Sequence, residues 1–463
     1  MVALRAVGAE EVLQEPASLP PEYRSRFPGD LEIRIFRDPI TTFSRIAHDC
    51  GDFVHFKVSG KDMFLITNPD YIKDVVINHH QEVIKSESLK IAKPLLGEGL
   101  LTSEGEFHHR QKRLVQPAFH QERIVGYAKV MVERTLEACE AWKDGETLDV
   151  HDEMMRLTLA IVAKTLFGAD MREGEAATVS EALTTALESL HKMKTPGSRV
   201  LRRFSNPGDQ QIQRSKETLD SIMYRIIQER QKSGEDRGDL LSMLLQARDK
   251  EGDGSGMTDL QVRDEAMTLF LAGHETTAKA LTWSWYLISE NPEAESKLHA
   301  EVDSVLAGRP PTAQDFPKLE YTNKIMAEAL RMYPPSWTLG VKAIKPFSVA
   351  GYQIPVGATM VMSQYIVHHD PHFYPEPERF RPERWTPEFK SSLPRFAYFP
   401  FGGGPRGCVG EPFAWMEGVL VIATIAQRWR LTHVRGHKVE MLPRLTLRPK
   451  YGMKMVAERR SAA

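Results

Sequence analysis

The fold of this chain is decided by Phe401-Gly402-Gly403-Gly404-Pro405-Arg406-Gly407-Cys408-Val409-Gly410. The glycines allow sharp turns that bring several backbone N–H groups close to one point. An apolar run with helix-like spacing follows over 412–426, so Cys408 is predicted at or just before a helix N-terminus. Converging amides and the positive end of a helix dipole both favour a thiolate. The segment therefore predicts a site for a thiolate; the alternative is a glycine-rich turn with a buried structural cysteine.

The number of cysteines limits what a thiolate here can bind. The other two, Cys50 and Cys139, are far away in the sequence. Zinc and iron–sulfur sites need several such ligands, whereas one thiolate is sufficient for the axial position of a haem iron.

The segment resembles the haem-binding loop of the cytochromes P-450. That loop reads Phe, two residues, Gly, one residue, Arg, one residue, Cys, one residue, Gly, and every position is filled by Phe401, Gly404, Arg406, Cys408 and Gly410. The resemblance implies haem b, with Cys408 as the axial ligand of its iron. It implies further haem contacts from the loop residues Phe401, Gly402, Arg406 and Gly410.

Length and composition agree with a globular haem protein. A chain of 463 residues would normally indicate two or three domains, but a cofactor that fills the core allows one. The net charge of −2 does not indicate a nucleic-acid partner. The resemblance implies a mainly α fold with a small β-rich region and the haem between a long distal helix and the cysteine loop. We expect one haem domain over residues 1–463, with an irregular segment at 1–30.

The N-terminus shows no targeting signal. No run approaches the roughly 18 apolar residues of a membrane span. Residues 1–30 mix charges with prolines and have neither the apolar core of a signal peptide nor an anchor helix. Three widely spaced cysteines are typical of a reducing compartment. We therefore expect a soluble, cytoplasmic monomer of bacterial type without a membrane anchor.

Local patterns predict the order of elements. A capping box at 258–261 opens a helix that ends near Glu290, before Asn291-Pro292. At about 1.5 Å per residue it would be roughly 50 Å long. The other predicted segments are strand-like residues at 51–67, two helices over 121–172 broken near 144–145, helices over 175–232 interrupted at 195–197 and 206–208, helices at 294–306 and 318–332, strands at 347–354 and 359–363, and irregular stretches at 84–106 and 249–256.

The centre of the long helix, Ala272-Gly273-His274-Glu275-Thr276-Thr277, is unusual for a helix interior. Glycine costs up to about 1 kcal/mol there, threonine is a poor helix former, and a buried carboxylate needs a partner. The stretch is similar to the acid–alcohol motif of the same family. That similarity implies that Ala272 and Gly273 lie against the haem, that Gly273 leaves room for dioxygen and substrate, and that Glu275 and Thr276 deliver protons. The alternative is a threonine pair on a kinked core helix.

A buried charge network is predicted from Glu328 and Arg331, which are three residues apart and share a helix face. Taken alone, an exposed surface pair is the simpler interpretation. The family has this Glu-x-x-Arg pair and a second arginine from a later Pro-Glu-Arg segment, which implies a structural triad with Arg384. Arg379 lies in a near-duplicate segment and is the alternative. Such a triad would serve folding and haem retention.

Cations for the haem propionates are implied by the same resemblance. Residues 108–113, followed by Gln116-Pro117-Ala118-Phe119, resemble the family's third-helix segment. A lysine there gives one point contact where the family more often has the fork of an arginine. The candidates are Arg406, His108, Lys112, Lys342 and His368. For Arg110 and Arg113, a solvated basic face and a docking surface for an acidic electron donor are both open.

The implied activity is a monooxygenase that inserts one oxygen atom from dioxygen into a hydrophobic substrate and reduces the other to water. We expect electrons from a ferredoxin with its reductase, or from a flavodoxin. One rival is a haem-thiolate enzyme that uses peroxide or rearranges its substrate, although such members usually lose the acid–alcohol pair. The other is a non-catalytic haem sensor, which would need a response module.

The substrate is not named by the sequence. Candidate wall positions are 84–106, the interrupted segment near 195–208, Ala272, 336–339 and 445–446. Trp337 and Leu339 indicate an apolar guest such as a fatty acid, terpenoid or steroid. Trp337 is also compatible with core packing against the adjacent strand.

Overall fold

The computed structural model describes residues 19–25, 27, 29–90, 92–168, 174–192 and 207–460. Within these ranges the chain is mainly helical with small sheets, which confirms the predicted fold class. The helices are α1 Asp30–Arg37, α2 Pro39–Cys50, α3 Pro69–Lys73, α4 Glu87–Lys90, α5 Lys93–Leu96, α6 Gly105–Val115, α7 Gln121–Ala141, α8 Val150–Phe167, α9 Glu175–Lys192, α10 Pro207–Ser233, α11 Leu240–Gln246, α12 Asp259–Ser289, α13 Pro292–Leu306, α14 Glu320–Met332, α15 Gln364–His368, α16 Pro387–Ser392 and α17 Glu411–Arg428.

The strands form a five-stranded sheet in the order β1-β2-β8-β5-β3, a three-stranded sheet in the order β4-β12-β9, and the two hairpins β6-β7 and β10-β11. In chain order they are β1 Phe53–Val58, β2 Lys61–Ile66, β3 Val83–Lys85, β4 Glu146–Asp149, β5 Leu339–Ala343, β6 Phe347–Val349, β7 Tyr352–Ile354, β8 Thr359–Met362, β9 Trp429–His433, β10 Met441–Pro443, β11 Leu447–Pro449 and β12 Lys454–Arg459.

Helix α12 is the central element. The predicted capping box is confirmed, because the Thr258 side chain accepts from the Gln261 N–H while the Gln261 side chain accepts from the Thr258 N–H. The helix has 31 residues and is about 46 Å long at 1.5 Å per residue. It is apolar on most sides and buried along most of its length.

Two apolar clusters share this helix and place the cysteine loop. The N-terminal half of α12 packs with α8, α9 and α10. Its C-terminal half packs with α7, α14 and α17. Since Cys408 lies three residues before the start of α17, the packing of α17 against α12 fixes the loop relative to the centre of the long helix.

The structure departs from the predicted elements in a few places. The region 121–172 contains strand β4 between its two helices, because 146–149 pairs with β12 far along the chain. Residues 84–106 are not wholly irregular but include part of β3 and the short helices α4 and α5. The interruption at 195–197, residue 206 and most of segment 1–30 lie outside the described residues. Within the described ranges, no helix is both long and apolar enough to span a membrane.

Candidate active site

The loop before α17 turns in the way that its glycines allow. Gly402 and Gly404 have φ values of +69° and +64°, which glycine adopts without strain. A Cβ added to Gly403 would lie 2.6 Å from the ring of Phe396, so this position also requires glycine. Turn geometry and close packing together explain the run of three glycines.

Cys408 lies at the end of this loop. Its N–H donates to the Phe401 carbonyl at 3.0 Å. Part of the residue is open to solvent, but the surrounding protein desolvates the thiol and raises its pKa. The N–H groups of Gly410 and Glu411, which donate to the sulfur, and the charge of Lys112 act in the opposite direction. The converging amides of the loop and the nearby lysine charge thus act on the sulfur in the sense that favours a thiolate.

Lys112 contacts the backbone of the cysteine loop. Its Nζ donates to the Pro405 carbonyl at 2.8 Å and lies 3.3 Å from the Gly407 carbonyl. Burial lowers the pKa of this lysine. The ammonium thus ties α6 to the loop, a contact that the propionate interpretation did not foresee.

Arg406 and His108 lie close together beside residues 103–104. Arg406 donates to the Ser103 carbonyl at 2.9 Å and pairs with Glu104. His108 is buried, and its Nδ1 lies 3.2 Å from the Ser103 hydroxyl. Burial and the charges of Arg406 and Lys85 lower the pKa of His108 to about 3. Its Nε2 has no hydrogen-bond partner among the described residues, so a neutral imidazole has one nitrogen free for a buried acceptor.

The two remaining cation candidates lie in other surroundings. Lys342 on β5 pairs with Glu87 at 3.3 Å and is partly exposed. His368 is completely buried, its Nε2 accepts from the Phe399 N–H at 3.1 Å, and burial lowers its pKa well below the ordinary value. His368 is therefore neutral, and its carbonyl accepts from Arg331 at 2.8 Å.

The centre of α12 exposes one small residue. Ala272 is exposed, although Leu271 and His274 beside it are buried. The Thr276 hydroxyl donates to the Ala272 carbonyl at 2.6 Å. A Cβ added to Gly273 would lie 3.2 Å from Val162 on α8. The small size of Gly273 therefore serves the contact between the two helices, a role that the family resemblance did not suggest.

Glu275 is engaged by two side chains. Lys279, one turn later, donates to Glu275 Oε1, and the Thr446 hydroxyl donates to the same oxygen at 3.0 Å. Burial raises the pKa of Glu275, but the charge and hydrogen bond of Lys279 and the hydrogen bond of Thr446 outweigh it, so the pKa is lowered. The carboxyl group is therefore ionised at neutral pH.

The predicted triad residues meet in the core. The Arg331 guanidinium donates two parallel hydrogen bonds of 2.9 Å to Glu328, and Arg384 Nε donates to Glu328 Oε1 at 2.9 Å. The Trp385 indole donates to the second oxygen at 2.9 Å. The Arg379 side chain is 66% exposed and pairs with Glu376, so Arg384 is the arginine that reaches Glu328. All partners of the buried carboxylate are charged or polar donors, as such a group requires.

Arg110 and Arg113 have specific structural partners. Arg113 donates to both oxygens of the buried Asp249 at 3.1 and 2.9 Å. Arg110 donates to the Ser255 hydroxyl at 2.7 Å. These bonds close the 249–256 loop onto α6, a role that neither predicted interpretation included.

The apolar residues predicted to line the substrate site lie partly in the core and partly at the surface. Trp337 is buried, and its indole donates to the Arg444 carbonyl at 2.9 Å, so it packs in the core. Leu339 is half-buried on β5, and Leu445 at the tip of the β10–β11 hairpin is 41% exposed.

Three buried acidic or basic side chains were not among the residues predicted from the sequence. Lys279 was detectable, because it follows Glu275 by four residues on a helix. Glu265 is buried and accepts from the Leu100 N–H at 3.0 Å, a contact that no local pattern reports. Glu417 is completely buried on α17, and burial raises its pKa well above the ordinary value. Its signal was an acid inside the apolar run that follows Cys408.

The residues around Cys408 fit a haem. Among the described residues, no three His, Cys, Asp or Glu side chains are grouped so that they could hold a metal ion alone. The donor set is one cysteine sulfur that accepts N–H bonds at a helix start. The free, buried Nε2 of His108 matches a propionate oxygen in chemistry.

Comparisons with known proteins agree with this chemistry. A family model described as Cytochrome P450 matches residues 31–456. Cyclooctatin synthase of Streptomyces melanosporofaciens is 38% identical over 399 residues, 86% of each protein. Cyclooctat-9-en-7-ol 5-monooxygenase of the same organism is 35% identical over 406 residues, 87% of each. A solved cytochrome P450DA heme domain superposes with a TM-score of 0.88 at 25% identity, covering 96% of this chain and 98% of that one. The chain therefore belongs to the cytochrome P450 family.

Proposed function

We propose that this chain inserts one oxygen atom of dioxygen into a C–H or C=C bond of a cyclic terpenoid, with electrons from separate redox proteins. The family gives the class, a monooxygenase with haem on an axial cysteine thiolate. The observation that carries the proposal is Cys408, whose sulfur accepts two N–H bonds at the start of α17 at the end of the glycine loop. No other described cysteine adjoins a glycine-rich loop of this kind.

The haem would be held by groups from two parts of the fold. Cys408 would bind the iron, and His108 Nε2 would donate to a propionate. Arg406 and Lys112 would stabilise the loop and add positive charge near the propionates. Phe401, Gly402 and Gly410 would contact the proximal side of the ring, and Ala272 and Gly273 the distal side. Lys342 would serve only after leaving Glu87.

When bound, the haem supplies the activation of dioxygen. One oxygen atom enters the substrate, and the other is released as water after two electrons and two protons have been supplied. The chain supplies the rest. The Thr276 hydroxyl can turn from the Ala272 carbonyl to donate toward the reaction site. The ionised Glu275 carboxylate can take up a proton and pass it on. The buried residues of α12 exclude bulk water.

Electrons are proposed to come from a ferredoxin with its reductase, or from a flavodoxin. Residues 31–456 are accounted for by the haem fold. The purified chain with NADPH alone should form no product, and turnover should begin when ferredoxin and reductase are added. Product formation without any added protein would contradict this part of the proposal.

The substrate class is proposed from the relatives and from the apolar wall. One relative is named for the oxidation of cyclooctat-9-en-7-ol, a cyclic unsaturated alcohol. This chain offers apolar side chains at Leu339 and Leu445. A cyclic terpenoid alkene or alcohol fits these observations better than a linear fatty acid.

The test is a spectral titration of the haem protein with cyclic terpenes, followed by turnover under ¹⁸O₂. We expect a spin-state shift with at least one cyclic terpene, and one ¹⁸O atom in each product molecule. Cys408→Ser should lose the thiolate spectrum of the reduced carbonyl complex and all product. Unlabelled product, or a Cys408→Ser protein with unchanged spectrum, would refute the proposal.

The peroxide-using rival is separated by Thr276→Ala. In a monooxygenase this change removes the hydroxyl that handles protons, so less product forms per NADPH consumed. Thr276→Ser is the matched control and should keep most of the coupling. Equal coupling in wild type and Thr276→Ala would favour the rival.

A further inference from the structure

Lys279 is a buried cation that the proposed mechanism leaves unused. Its side chain is only 2% exposed, and the cost of burying an ammonium group is large unless it is paired. Its Nζ donates to Glu275 Oε1 and to the Thr446 hydroxyl. The lysine therefore depends on the same carboxylate that the proposed function assigns to proton delivery.

The three side chains form a closed set of hydrogen bonds. Lys279 donates to Thr446, Thr446 donates to Glu275 at 3.0 Å, and Lys279 donates to Glu275. A threonine hydroxyl has one proton to donate and lone pairs to accept, so it satisfies both partners at once. The set joins α12 to the turn between β10 and β11.

The turn that carries Thr446 is firmly held. The Leu447 N–H donates to the Pro335 carbonyl at 2.9 Å, and the Trp283 indole of α12 donates to the Leu447 carbonyl at 3.2 Å. Leu445, directly before Thr446, is 41% exposed at the tip of the hairpin. The anchor of the acid and a candidate substrate contact are therefore neighbours on one short hairpin.

The acid and the alcohol are adjacent in sequence but bonded to different groups. Successive residues on a helix point in directions about 100° apart and do not face each other. Thr276 donates to the Ala272 carbonyl, whereas Glu275 is held by Lys279 and Thr446. The position of the Glu275 carboxylate is therefore set by Lys279 and Thr446 and not by Thr276.

The charged surroundings of Glu275 come from three elements. His274 and Lys279 belong to α12, Arg448 to β11, and His151 to α8. Burial lowers the pKa of both histidines to about 4, so near neutrality they carry no charge. Lys279 bonds the carboxylate directly.

We propose that Lys279 and Thr446 are positioning residues for Glu275, which bond its carboxylate, anchor it to the β10–β11 hairpin and thereby control proton delivery through it. This inference rests on the proposed function. It adds that the acid is coupled to the hairpin that carries Leu445, a candidate wall position of the substrate site.

The test compares turnover driven by redox proteins with turnover driven by hydrogen peroxide. Hydrogen peroxide equals dioxygen plus two electrons and two protons, so turnover with it needs no protons taken up from solvent through Glu275. Lys279→Met should lower the product formed per NADPH by about five- to tenfold and shift the pH profile, while peroxide-driven turnover stays within about twofold. Lys279→Arg keeps the charge and should retain most of the coupling. Thr446→Val should lower coupling by a smaller factor, and Thr446→Ser should restore it.

Two results would overturn the proposal. One is unchanged coupling in Lys279→Met. The other is an equal loss of peroxide-driven and reductase-driven turnover, which would mean general damage to the site. Thr446→Val keeps the proposal testable if the lysine variant does not fold.

A second readout is independent of turnover. Infrared difference spectra against Glu275→Gln should show an ionised Glu275 carboxylate at pH 7 in the wild type and a protonated carboxyl in Lys279→Met. If no substrate is turned over, the proposed function fails while the infrared result still decides the positioning role. An unchanged carboxylate band in Lys279→Met would contradict that role.

Discussion

Glu265 and Glu275 lie ten residues apart on helix α12, and both are enclosed by protein, yet their pKa values move in opposite directions. Burial raises the pKa of Glu265 to about 7, because its partners, the Leu100 N–H and the Gln111 amide, are neutral dipoles that offset only part of the cost. Burial acts on Glu275 in the same sense, but Lys279 outweighs it. The charge of a buried carboxylate on one scaffold thus depends on whether its partner is charged.

The two carboxyl groups also fasten different parts of the fold. Glu265 holds the segment at 97–104, together with Asp264, which accepts from the Glu98 N–H at 2.8 Å. Glu275 is bound to the β10–β11 hairpin through Thr446. Glu265, which binds a backbone N–H group, has a raised pKa, whereas Glu275, through which proton transfer is proposed, has a lowered pKa and stays charged.

The largest effect is expected when the charged partner of Glu275 is removed. Lys279→Met leaves the Glu275 side chain, which is only 21% exposed, without its cation, so the group must either stay charged and unpaired or take up a proton. Breaking a buried pair in this way costs about 3–5 kcal/mol of unfolding free energy. Equilibrium denaturation at pH 7 measures it, and Lys279→Met combined with Glu275→Gln should recover part of the loss.

Lys297→Met is the matched control, because Lys297 is an exposed lysine that also pairs with a glutamate four residues away. Its replacement should change the unfolding free energy far less. Equal losses at the two lysines would mean that burial does not distinguish these pairs, and the comparison with Glu265 would lose its basis.

The next largest effect is a dependence of the unfolding free energy on pH that comes from Glu265. Its folded pKa of about 7 lies above the ordinary 4.5, so between these values the folded state keeps a proton that the unfolded state has lost. The free energy of unfolding therefore falls as pH rises from 4.5 to 7, by about 3 kcal/mol, and is flat above pH 7. Denaturation over pH 4.5–8 should show that Glu265→Gln removes this slope. Asp264 and Lys85 face Glu265, and the pKa of Lys85 is itself lowered to about 7, so the difference between the two proteins reports the coupled titration of Glu265 and Lys85.

Glu275→Gln should show the opposite sign. The folded pKa of Glu275 is lowered, so its contribution to stability is present above pH 4.5 and is lost as pH falls through the folded pKa. Parallel pH slopes for the two glutamine variants would contradict the contrast between them.

Sequence patterns recovered the parts of this picture that are local. Three of these features are short-range: the capping box at Thr258, the loop around Cys408 and the spacing of Glu328 and Arg331. The start of α12 follows directly from the first of them. Lys279 was within reach of the same reasoning, because it lies one turn after Glu275.

The remaining contacts could not be predicted from local patterns. Thr446 lies 171 residues from Glu275, and Leu100 lies 165 residues from Glu265. Pairings of this kind arise only when the chain folds back, so neither hydrophobic period nor motif spacing reports them. Gly273 illustrates the same limit, since its packing against α8 is invisible in the motif that contains it.

A smaller loss of unfolding free energy is expected when a side chain is added between segment 97–104 and α12, where Glu265 and Asp264 bind the backbone of that segment. A Cβ on Gly99 would clash with the Thr268 hydroxyl and lie 2.6 Å from the Asp264 carbonyl. Gly99→Ala should therefore cost about 1–3 kcal/mol of unfolding free energy, as overpacking does. Gly126→Ala is the control, because Gly126 is exposed on α7 with open space around it and its replacement should stabilise the helix by up to about 1 kcal/mol. Equal signs for the two variants would show that segment 97–104 is not held closely against α12.

The smallest effect is expected from removing one neutral hydrogen bond, the bond from the Thr446 hydroxyl to the charged Glu275. Thr446→Val keeps the shape of the side chain but removes the hydroxyl that donates to Glu275 and accepts from Lys279. The ion pair remains, so the loss of unfolding free energy should be about 1 kcal/mol, well below that of Lys279→Met. Thr446→Ser retains the hydroxyl and should lie closer to the wild type. A loss in Thr446→Val as large as in Lys279→Met would mean that the hydroxyl contributes as much to stability as the lysine charge, and the charged partner would no longer set Glu275 apart from Glu265.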